Sequence, residues 1–305
     1  MMRAVRTLPA FALALALILV LALGGCGGGG RNSGEGGTLT VGSKNFTENI
    51  LLAHMMAILI EEHTDIRVER KVNLGGSNVA WQALRNNDIQ LYPDYTGTIV
   101  ANYYQEETGS AEETLRRAQE LVQQDGLKFL EPWGFNNTYT LAVKQELAQE
   151  LGLETYSDLA KVSDRLVIAS EFEFLDRPDG LPGLKEVYGM RFKEERGMDP
   201  GLRYTSIAED KVDVINAFAT DGMLVVHNLK ILEDDRQFFP PYHGAPVVRQ
   251  DALERFPELE GILNRLAGKI DDVTMQQLNA KVETEGLKEE DVAREFLREL
   301  GLIGQ

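Results

Sequence analysis

The amino-acid sequence predicts an α/β protein in which short strands alternate with helices, and three observations lead to this fold class. Strand and helix patterns alternate between residues 38 and 104, and the same alternation returns between residues 140 and 226. A third region, residues 250–303, has helical spacing of its apolar residues throughout. Alternating strands and helices favour largely parallel sheets with helices on both faces.

In the first region the strands are short apolar runs bounded by Gly, Asn or Pro, and they are expected at 38–41, 67–72 and 89–92. The first helix should begin at Thr47, because Glu48 lies in its first turn and apolar residues then recur at helical spacing. The helices expected in this region are 47–59, 78–85 and 98–104.

The middle and the end of the chain follow the same pattern. Three further strands are expected at 140–143, 166–169 and 223–226. Helices are expected from residue 156, at 183–188 and at 212–217, and then in the C-terminal region at 253–256, 259–266, 274–282 and 291–300. Ligands of open parallel sheets bind beyond the carboxyl ends of the strands, so residues in the loops that follow the strands are the first candidates for a site.

Residues 1–25 have the pattern of a bacterial lipoprotein signal peptide. Two arginines precede an apolar run at 11–23, and the small residues Gly24 and Gly25 then precede Cys26. Because Cys26 is the only cysteine of the chain, we expect it to carry a lipid that anchors the protein to the bacterial membrane from the extracytoplasmic side. Residues 26–37 are rich in Gly and are expected to be a flexible tether.

Composition narrows the possible partners. The chain has 31 basic and 48 acidic residues, a formal net charge of −17, which argues against nucleic acid as a partner and is compatible with a cationic ligand. The four histidines have no metal-ligand spacing, and no nucleophile elbow, phosphate loop or dinucleotide fingerprint is present. We therefore expect no metal, no cofactor and no catalytic residues.

Four aromatic residues lie beside Gly, Pro, Thr or Asn rather than in periodic apolar runs. They are Tyr95, Tyr139, Phe218 and Tyr242. Aromatic residues at such strand-to-loop corners are well placed to line a cleft, and their ring faces attract organic cations. For any one of them, an ordinary half-buried position is the alternative.

Three residues that could bind an anion accompany these aromatic residues. Lys44 lies between a predicted strand and a predicted helix, Thr98 occupies the next such turn, and Arg177 lies in a loop rich in Pro and Gly. A hydroxyl, free N–H groups at a helix start and opposite charge can together hold a carboxylate. The alternative for Lys44 and Arg177 is a solvated surface charge. Rings and cations together predict a zwitterionic ligand with a quaternary ammonium and a carboxylate.

Six ordered motifs resemble those of the substrate-binding lipoproteins of ABC importers for glycine betaine, choline and related osmoprotectants. The motifs are GSKNFTE (42–48), NLGG (73–76), YPDYTGT (92–98), GFNNTY (134–139), RPDG (177–180) and LEDDRQFFPPY (232–242). The resemblance implies a two-lobed, type II periplasmic-binding-protein fold with a two-stranded hinge and the ligand in the cleft between the lobes. It implies lobes formed by 38–136 with 241–305 and by 137–240, and an ABC permease as the partner.

The resemblance also implies the roles of individual residues. Tyr95, Tyr139 and Tyr242 correspond to cage tyrosines of the family, and Asn137 to a polar residue at the cage rim. Thr98, Lys44 and Arg177 correspond to the carboxylate-binding residues of betaine-binding members. Phe218 departs from the family, which usually has Tyr there, so affinity or preference can differ. Choline or carnitine as the ligand, a ligand-sensing module without a permease, and an enzyme acting on choline-bearing substrates remain alternatives to glycine-betaine transport.

Overall fold

The computed structural model of the chain describes residues 37–304, so the predicted signal peptide and Cys26 lie outside the described residues. Its strands are β1 (Thr38–Gly42), β2 (Arg67–Lys71), β3 (Leu91–Tyr95), β4 (Leu127–Phe129), β5 (Tyr139–Lys144), β6 (Val167–Glu171), β7 (Glu194–Met198), β8 (Val214–Phe218), β9 (Leu229–Ile231) and β10 (Gly244–Arg249).

Except between β4 and β5, helices alternate with these strands as far as β9, and helices then dominate the C-terminal part. They are α1 (Thr47–His63), α2 (Ser77–Arg85), α3 (Ala111–Gln124), α4 (Gln145–Leu151), α5 (Tyr156–Ala160), α6 (Leu181–Tyr188), α7 (Pro200–Ala208), α8 (Met223–Val226), α9 (Gln250–Arg255), α10 (Leu259–Leu263), α11 (Asp272–Glu283) and α12 (Glu289–Glu299). A π-helical turn covers Thr98–Tyr103, and short 3-10 turns cover Ser163–Arg165, Glu173–Leu175 and Asn264–Leu266. Within residues 37–304, no helix combines the length and the apolar content needed to cross a bilayer.

The strands form two five-stranded mixed sheets. The first sheet has the order β2-β1-β3-β10-β4, and the second has the order β7-β6-β8-β5-β9. β1 is parallel to both of its neighbours, whereas β10 is antiparallel to β3 and β4. In the second sheet β6 is parallel to β7 and β8, and β5 is antiparallel to β8 and β9. The expectation of largely parallel sheets is therefore only partly correct. β10 in the first sheet and β5 in the second are antiparallel to both of their neighbours.

Helix α1 is the centre of the first sheet's helical layer. Positions 51–60 of α1 are at most 9% exposed on every face, since α1 packs against β2, α10, α11 and α12. A helix that is apolar all round is stable only when it is buried in this way. The first turn of α1 points its polar residues, including Glu48, towards the interior between the sheets, where Glu48 is 2% exposed. The first sheet with α1, α11 and α12 is called the first lobe below, and the second sheet with its helices the second lobe.

The chain passes between the two sheets twice, from β4 to β5 and from β9 to β10. The two connections run side by side: Asn136 and His243 form an isolated antiparallel bridge. The backbone N–H of Asn137 donates to the carbonyl of Tyr242 at 3.1 Å, and that of Tyr242 donates to Oδ1 of Asn136 at 2.7 Å. Two paired crossings form a compact hinge, the arrangement expected of a two-lobed binding protein. The exact lobe boundaries at 136/137 and 240/241 stay a prediction.

Most predicted elements of the first region are confirmed, but two predictions in the middle region are wrong. Residues 212–217 were expected to be helical, yet Val214–Phe218 is the central strand β8. Residues 223–226 were expected to be a strand, yet Met223–Val226 is one helical turn. Both are short apolar runs, and a strand buried on both faces lacks the alternation that would separate it from a buried helix.

Candidate functional site

All eight residues predicted to bind ligand line one small cavity between the two lobes. The cavity measures about 10 Å³, close to the space of about one water molecule. The eight residues are Lys44, Tyr95, Thr98, Asn137, Tyr139, Arg177, Phe218 and Tyr242. Three further residues of its lining, Phe46, Ser77 and Glu173, were not predicted. The ninth predicted site residue, Cys26, lies outside the described residues.

The aromatic rings form a continuous cluster around this cavity. Tyr139 and Phe218 are directly paired in the register of β5 and β8, and their ring centroids are 4.8 Å apart. Tyr242 meets Tyr139 edge-on, at 5.4 Å and 85°. Phe46 stacks on Phe218 at 5.3 Å and lies 6.3 Å from Tyr95, so it completes the cluster. Phe46 has the same sequence signal as the others, an aromatic residue between a strand and a helix start.

The close approach of the hinge to the cavity depends on a glycine. A Cβ added to Gly97 would lie 2.8 Å from the carbonyl oxygen of Pro241 and 2.8 Å from the ring of Tyr242. Real Cβ atoms do not approach other atoms this closely, so Gly97 permits the YPDYTGT segment to pack against the second crossing. The hydroxyl of Thr96 fixes the same contact by donating to the Pro241 carbonyl at 2.9 Å.

Lys44 is buried, which excludes the alternative of a solvated surface charge. Its Nζ lies 2.6 Å from Oδ1 of Asp94 and 5.1 Å from the centre of the Tyr95 ring. Lys44 is 2% exposed and Asp94 is fully buried, and an isolated charge at such a depth would be very unfavourable. The backbone N–H of Lys44 also donates to Oδ1 of Asn49 at 2.7 Å, which fixes the start of α1.

Arg177 is buried as well and lies at the contact of the two lobes. Its Nε donates to Oδ1 of Asp179 at 2.8 Å, while the hydroxyl of Tyr242 donates to the other oxygen of Asp179 at 2.6 Å. The guanidinium reaches Thr98 of the first lobe at 3.5 Å and lies 5.4 Å from the ring centre of Tyr139. Arg177 therefore connects a cage ring with the hydroxyl that was predicted to bind a carboxylate.

A carboxylate of the protein already occupies the neighbouring helix start. Glu173 of the second lobe accepts hydrogen bonds from the backbone N–H of Ser77 at 2.6 Å and from its hydroxyl at 2.9 Å. Ser77 is the first residue of α2, where N–H groups are free and the helix dipole favours negative charge. Glu173 also lies 3.4 Å from Arg177. The donors at this end of the cavity thus suit a carboxylate.

Glu48 is the principal site residue that the sequence did not predict. Its Oε1 accepts hydrogen bonds from the Tyr95 hydroxyl at 2.7 Å and from Nδ2 of Asn137 at 2.5 Å. Its Oε2 accepts from the Thr220 hydroxyl at 2.6 Å and from Nδ2 of Asn279 at 3.4 Å. Burial outweighs these four donors and raises the pKa of Glu48 to about 7. In the sequence this residue has only the ordinary appearance of an acidic side chain in a helix's first turn.

A hinge of two crossings, two sheets of five strands and a cavity of aromatic and charged side chains between them define a two-lobed substrate-binding protein. The chain belongs to the family described as the substrate binding domain of ABC-type glycine betaine transport systems, which matches residues 37–299. It is thus an extracytoplasmic binding protein that works with an ABC importer, and the family is not enzymatic.

Relatives of known function agree on this role and differ in ligand. The chain is 36% identical to a glycine-betaine-binding protein of Pseudomonas aeruginosa, over 87% of this chain and 89% of that one. It is 36% identical to the ergothioneine transport permease/ergothioneine binding protein EgtU of Helicobacter pylori, over 89% of this chain but only 49% of that protein, about half its length. The carnitine transport binding protein OpuCC of Listeria monocytogenes is 33% identical, over 86% of each chain.

Two solved structures support the same fold. The crystal structure of a glycine betaine/carnitine/choline ABC transporter protein superposes with a TM-score of 0.70 at 33% identity, covering 87% of this chain and 99% of the other. The structure of apo YehZ from Escherichia coli superposes with a TM-score of 0.62 at 30% identity. The predicted class of protein and its fold are therefore confirmed.

Proposed function

We propose that this protein captures a quaternary-ammonium zwitterion, of which glycine betaine is the simplest, in the cavity between its lobes and delivers it to the permease. The observation that carries this proposal is the meeting of five aromatic rings and two buried cations at one cavity. A quaternary ammonium cannot donate hydrogen bonds, so ring faces are its natural partners, at about 0.5–2 kcal/mol each when desolvated.

The cage of the proposal consists of Phe46, Tyr95, Tyr139, Phe218 and Tyr242, with Asn137 at its rim. The amide of Asn137 donates through Nδ2 to Glu48, while its buried Oδ1 has no hydrogen-bond partner within residues 37–304. An amide oxygen at the cage edge adds partial negative charge, which favours the cation further.

The carboxylate of the ligand is assigned to Lys44, Thr98 and Arg177. Glu173 supports this assignment, because a side-chain carboxylate already lies against Ser77 and Arg177 at that end of the cavity. An incoming carboxylate would have to displace Glu173 from these donors to take over their charge-assisted hydrogen bonds, which are worth about 1.5–3 kcal/mol each. Paired with the cage, such a clamp distinguishes a zwitterion from choline, which has no carboxylate.

Ligand entry requires the lobes to separate, since a cavity of about 10 Å³ is far smaller than a trimethylammonium group. We assign residues 38–136 and 241–305 to one lobe and 137–240 to the other, with the crossings as the hinge. Side chains from both lobes line the cavity, so a bound ligand would hold the lobes together and shift the population towards the closed state.

We further propose that Cys26 carries the lipid that keeps the mature protein at the membrane surface. The apolar run at 11–23 followed by Gly24, Gly25 and Cys26 supports this assignment. Mass spectrometry of the mature N-terminus tests it, with a diacylglyceryl group on Cys26 expected and loss of membrane association in Cys26→Ser. An unmodified Cys26 in membrane-bound protein would contradict the proposal.

Calorimetric titration of the protein carrying Cys26→Ser tests the ligand. Glycine betaine, carnitine, choline and ergothioneine are compared, because the relatives differ among these ligands. We expect glycine betaine to bind at micromolar concentration, which corresponds to about 8 kcal/mol, and choline to bind more weakly. If no quaternary amine bound below millimolar concentration, the proposed cage would be wrong.

A further inference from the structure

Glu48 lies directly behind the cage and binds two of its residues, although it is not part of the cavity lining. Its Oε1 accepts hydrogen bonds from the hydroxyl of Tyr95 at 2.7 Å and from Nδ2 of Asn137 at 2.5 Å. Tyr95 and Asn137 both line the cage cavity, whereas Glu48 is 2% exposed and lines the cavity next to it. An effect of Glu48 on a ligand in the cage therefore passes through these two residues.

The carboxylate determines which end of the Asn137 amide faces the cage. An ionised carboxylate can only accept hydrogen bonds, so it binds the nitrogen of the amide and turns the oxygen away from itself. Oδ1 of Asn137 is buried and has no hydrogen-bond partner within residues 37–304. A buried oxygen of this kind requires a partner. The methyl groups of a quaternary ammonium carry part of its positive charge, and they supply one through C–H···O contacts.

The same carboxylate acts on the ring of Tyr95. A phenol hydroxyl that donates to an anion is polarised by it, and this increases the electron density of the ring. The attraction between the ring face and a cation grows with that density. Ionised Glu48 thus favours a cation in the cage through Asn137 and through Tyr95.

Protonation of Glu48 would turn the Asn137 amide round. The protonated carboxyl group has an O–H that donates, and the amide oxygens of Asn137 and Asn279 are the acceptors that a turn of either amide would bring to it. Asn279 is held in place, because its Nδ2 also donates to the carbonyl of Thr220 at 3.0 Å. Asn137 is therefore the amide that turns, and its N–H groups would then face the cage and repel a cation.

The surroundings of Glu48 hold it close to this change. Burial raises the pKa of Glu48 to about 7, and the charge of Asp221 acts in the same direction. Glu283 and Arg203 line the neighbouring cavity together with Glu48, and Lys44 on the cage side is already paired with a buried aspartate. A cation in the cage would add a positive charge beside Glu48 and lower this pKa.

We propose that Glu48 is a positioning residue of the cage: as a carboxylate it turns the oxygen of Asn137 towards the ammonium of the ligand, and capture of that ammonium releases a proton from Glu48. The O–H bond of the protonated carboxyl group breaks and the proton leaves to the solvent, since a quaternary ammonium can neither give nor take one. The inference rests on the proposed function, because it requires a cation in the cage.

Calorimetric titration of the Cys26→Ser protein with glycine betaine and with choline, at pH 6, 7 and 8, tests the proposal. Neither ligand changes its own charge in this range. We expect both ligands to bind about tenfold more tightly at pH 8 than at pH 6, because both carry the ammonium. About half a proton should be released at pH 7, which titrations in buffers of different ionisation enthalpy measure.

Glu48→Gln separates this role from a merely structural one. Gln is neutral like the protonated acid, so the variant should bind within about twofold of wild type at pH 6, bind about fivefold or more weakly at pH 8, and release no proton. A loss of equal size at both pH values would overturn the proposal. Glu283→Gln is the matched control, because burial raises the pKa of Glu283 to about 7 as well. It should keep the wild-type pH profile and proton release.

The two ligands and a second variant keep the outcomes distinct. Absence of binding by both ligands would overturn the proposed function and this inference with it, whereas binding that is equal at pH 6 and pH 8 would overturn this inference alone. A pH dependence confined to glycine betaine would place the titrating group at the carboxylate end and also overturn it. If Glu48→Gln fails to fold, Thr220→Val removes one donor from Glu48 and should move the pH profile to higher pH. An unmoved profile would contradict the proposal.

Discussion

The hydroxyl of Thr220 donates a hydrogen bond to Oε2 of Glu48 at 2.6 Å, although the two residues are 172 positions apart in the chain. Glu48 belongs to α1 of the first lobe, and Thr220 follows β8 of the second. The same carboxylate binds Tyr95 of the cage and Asn137 at the hinge. One buried acid thus links the two lobes, the hinge and the proposed ligand cage.

The first prediction concerns the pH dependence of stability through Glu48. Its pKa in the folded state, about 7, is above the ordinary value of 4.5, so the folded state holds this proton more tightly than the unfolded state. Its contribution to stability is complete below pH 4.5 and is lost as the pH rises through 7. In wild type the free energy of unfolding should therefore decline between pH 5 and pH 8, and Glu48→Gln should remove the part of this decline that Glu48 causes, up to a few kcal/mol. Urea unfolding of both proteins at pH 5, 6, 7 and 8 measures the free energy of unfolding.

Three other carboxyl groups contribute to the wild-type profile. Burial raises the pKa of Glu171 and of Glu283 to about 7 and also raises that of Asp221. The free energy of unfolding of Glu48→Gln should therefore still decline with rising pH, but less steeply than that of wild type. Glu107 is exposed, and Glu107→Gln should follow the wild-type profile. Parallel profiles for Glu48→Gln and wild type would contradict the assignment.

The second prediction concerns the cage face of Tyr139. Tyr139→Leu removes a ring that lies within 5.4 Å of Phe218 and Tyr242, and it should weaken glycine-betaine binding about 3- to 30-fold, the equivalent of one ring face. Tyr139→Phe retains the face and should bind within about twofold of wild type. Calorimetric titration of both variants makes the comparison. Equal losses of glycine-betaine affinity in the two variants would contradict the prediction, because they would show that the hydroxyl of Tyr139 contributes to binding and its ring face does not.

The third prediction separates the carboxylate clamp from the cage. The double variant Arg177→Gln/Asp179→Asn removes the buried pair together, so that neither partner of the pair is left as an isolated charge. Glu173, which loses the contact with Arg177, keeps its two hydrogen bonds from Ser77. Glycine betaine should lose about 10- to 100-fold in affinity, whereas choline should change by less than about threefold. The ratio of the two dissociation constants is the measurement, because a general effect on folding cancels in it.

Arg165 provides the matched control for the clamp, since it is an exposed arginine of the same lobe. Arg165→Gln should leave both ligands unaffected. A loss of equal size for glycine betaine and choline in the double variant would remove Arg177 from the clamp while leaving the cage intact.

The fourth prediction concerns the hinge contact at Gly97. Gly97→Ala places a methyl group 2.8 Å from the Pro241 carbonyl and the Tyr242 ring, so the second crossing and a cage ring must shift. We expect a loss of about 1–3 kcal/mol in stability, as for other overpacked positions, and weaker ligand binding. Gly261→Ala in α10, where the added Cβ meets no atom within 4 Å, is the control. Thermal unfolding and titration that are unchanged in Gly97→Ala would refute the close-packing interpretation.

Much of the fold could be predicted because its local signals are strong. The strands of the first region lie between Gly, Asn and Pro residues, and α11 and α12 have clear helical spacing. The sequence predicts the wrong class for β8 and α8 because each is a short, largely apolar run, whose partner across the sheet or in the core decides its conformation. β10 was missed since its partners, β3 and β4, precede it by more than a hundred residues.

The site residues also divide into those that have a signal in the sequence and those that only the structure reveals. Turn-rich surroundings indicate Tyr95, Tyr139, Phe218 and Tyr242. A charge between a strand and a helix indicates Lys44, and a charge in a loop rich in Pro and Gly indicates Arg177. The structure brings all six residues to one cavity. Phe46 has the same signal and also lines the cavity. Glu48 has no such signal, because its donors come from four distant segments of the chain.

By itself, the sequence determined the chemical groups of this protein, which are aromatic rings at strand ends and cations in loops, and it predicts a signal peptide at the N-terminus. The tertiary structure decided what each group contacts. It paired Lys44 with Asp94 and Arg177 with Asp179, and it enclosed Glu48 among four donors. Burial and pairing set the charge and the pKa of a buried group. For Lys44 and Glu48 they depend on which distant segments meet in the folded chain, a property that no local pattern in the sequence records.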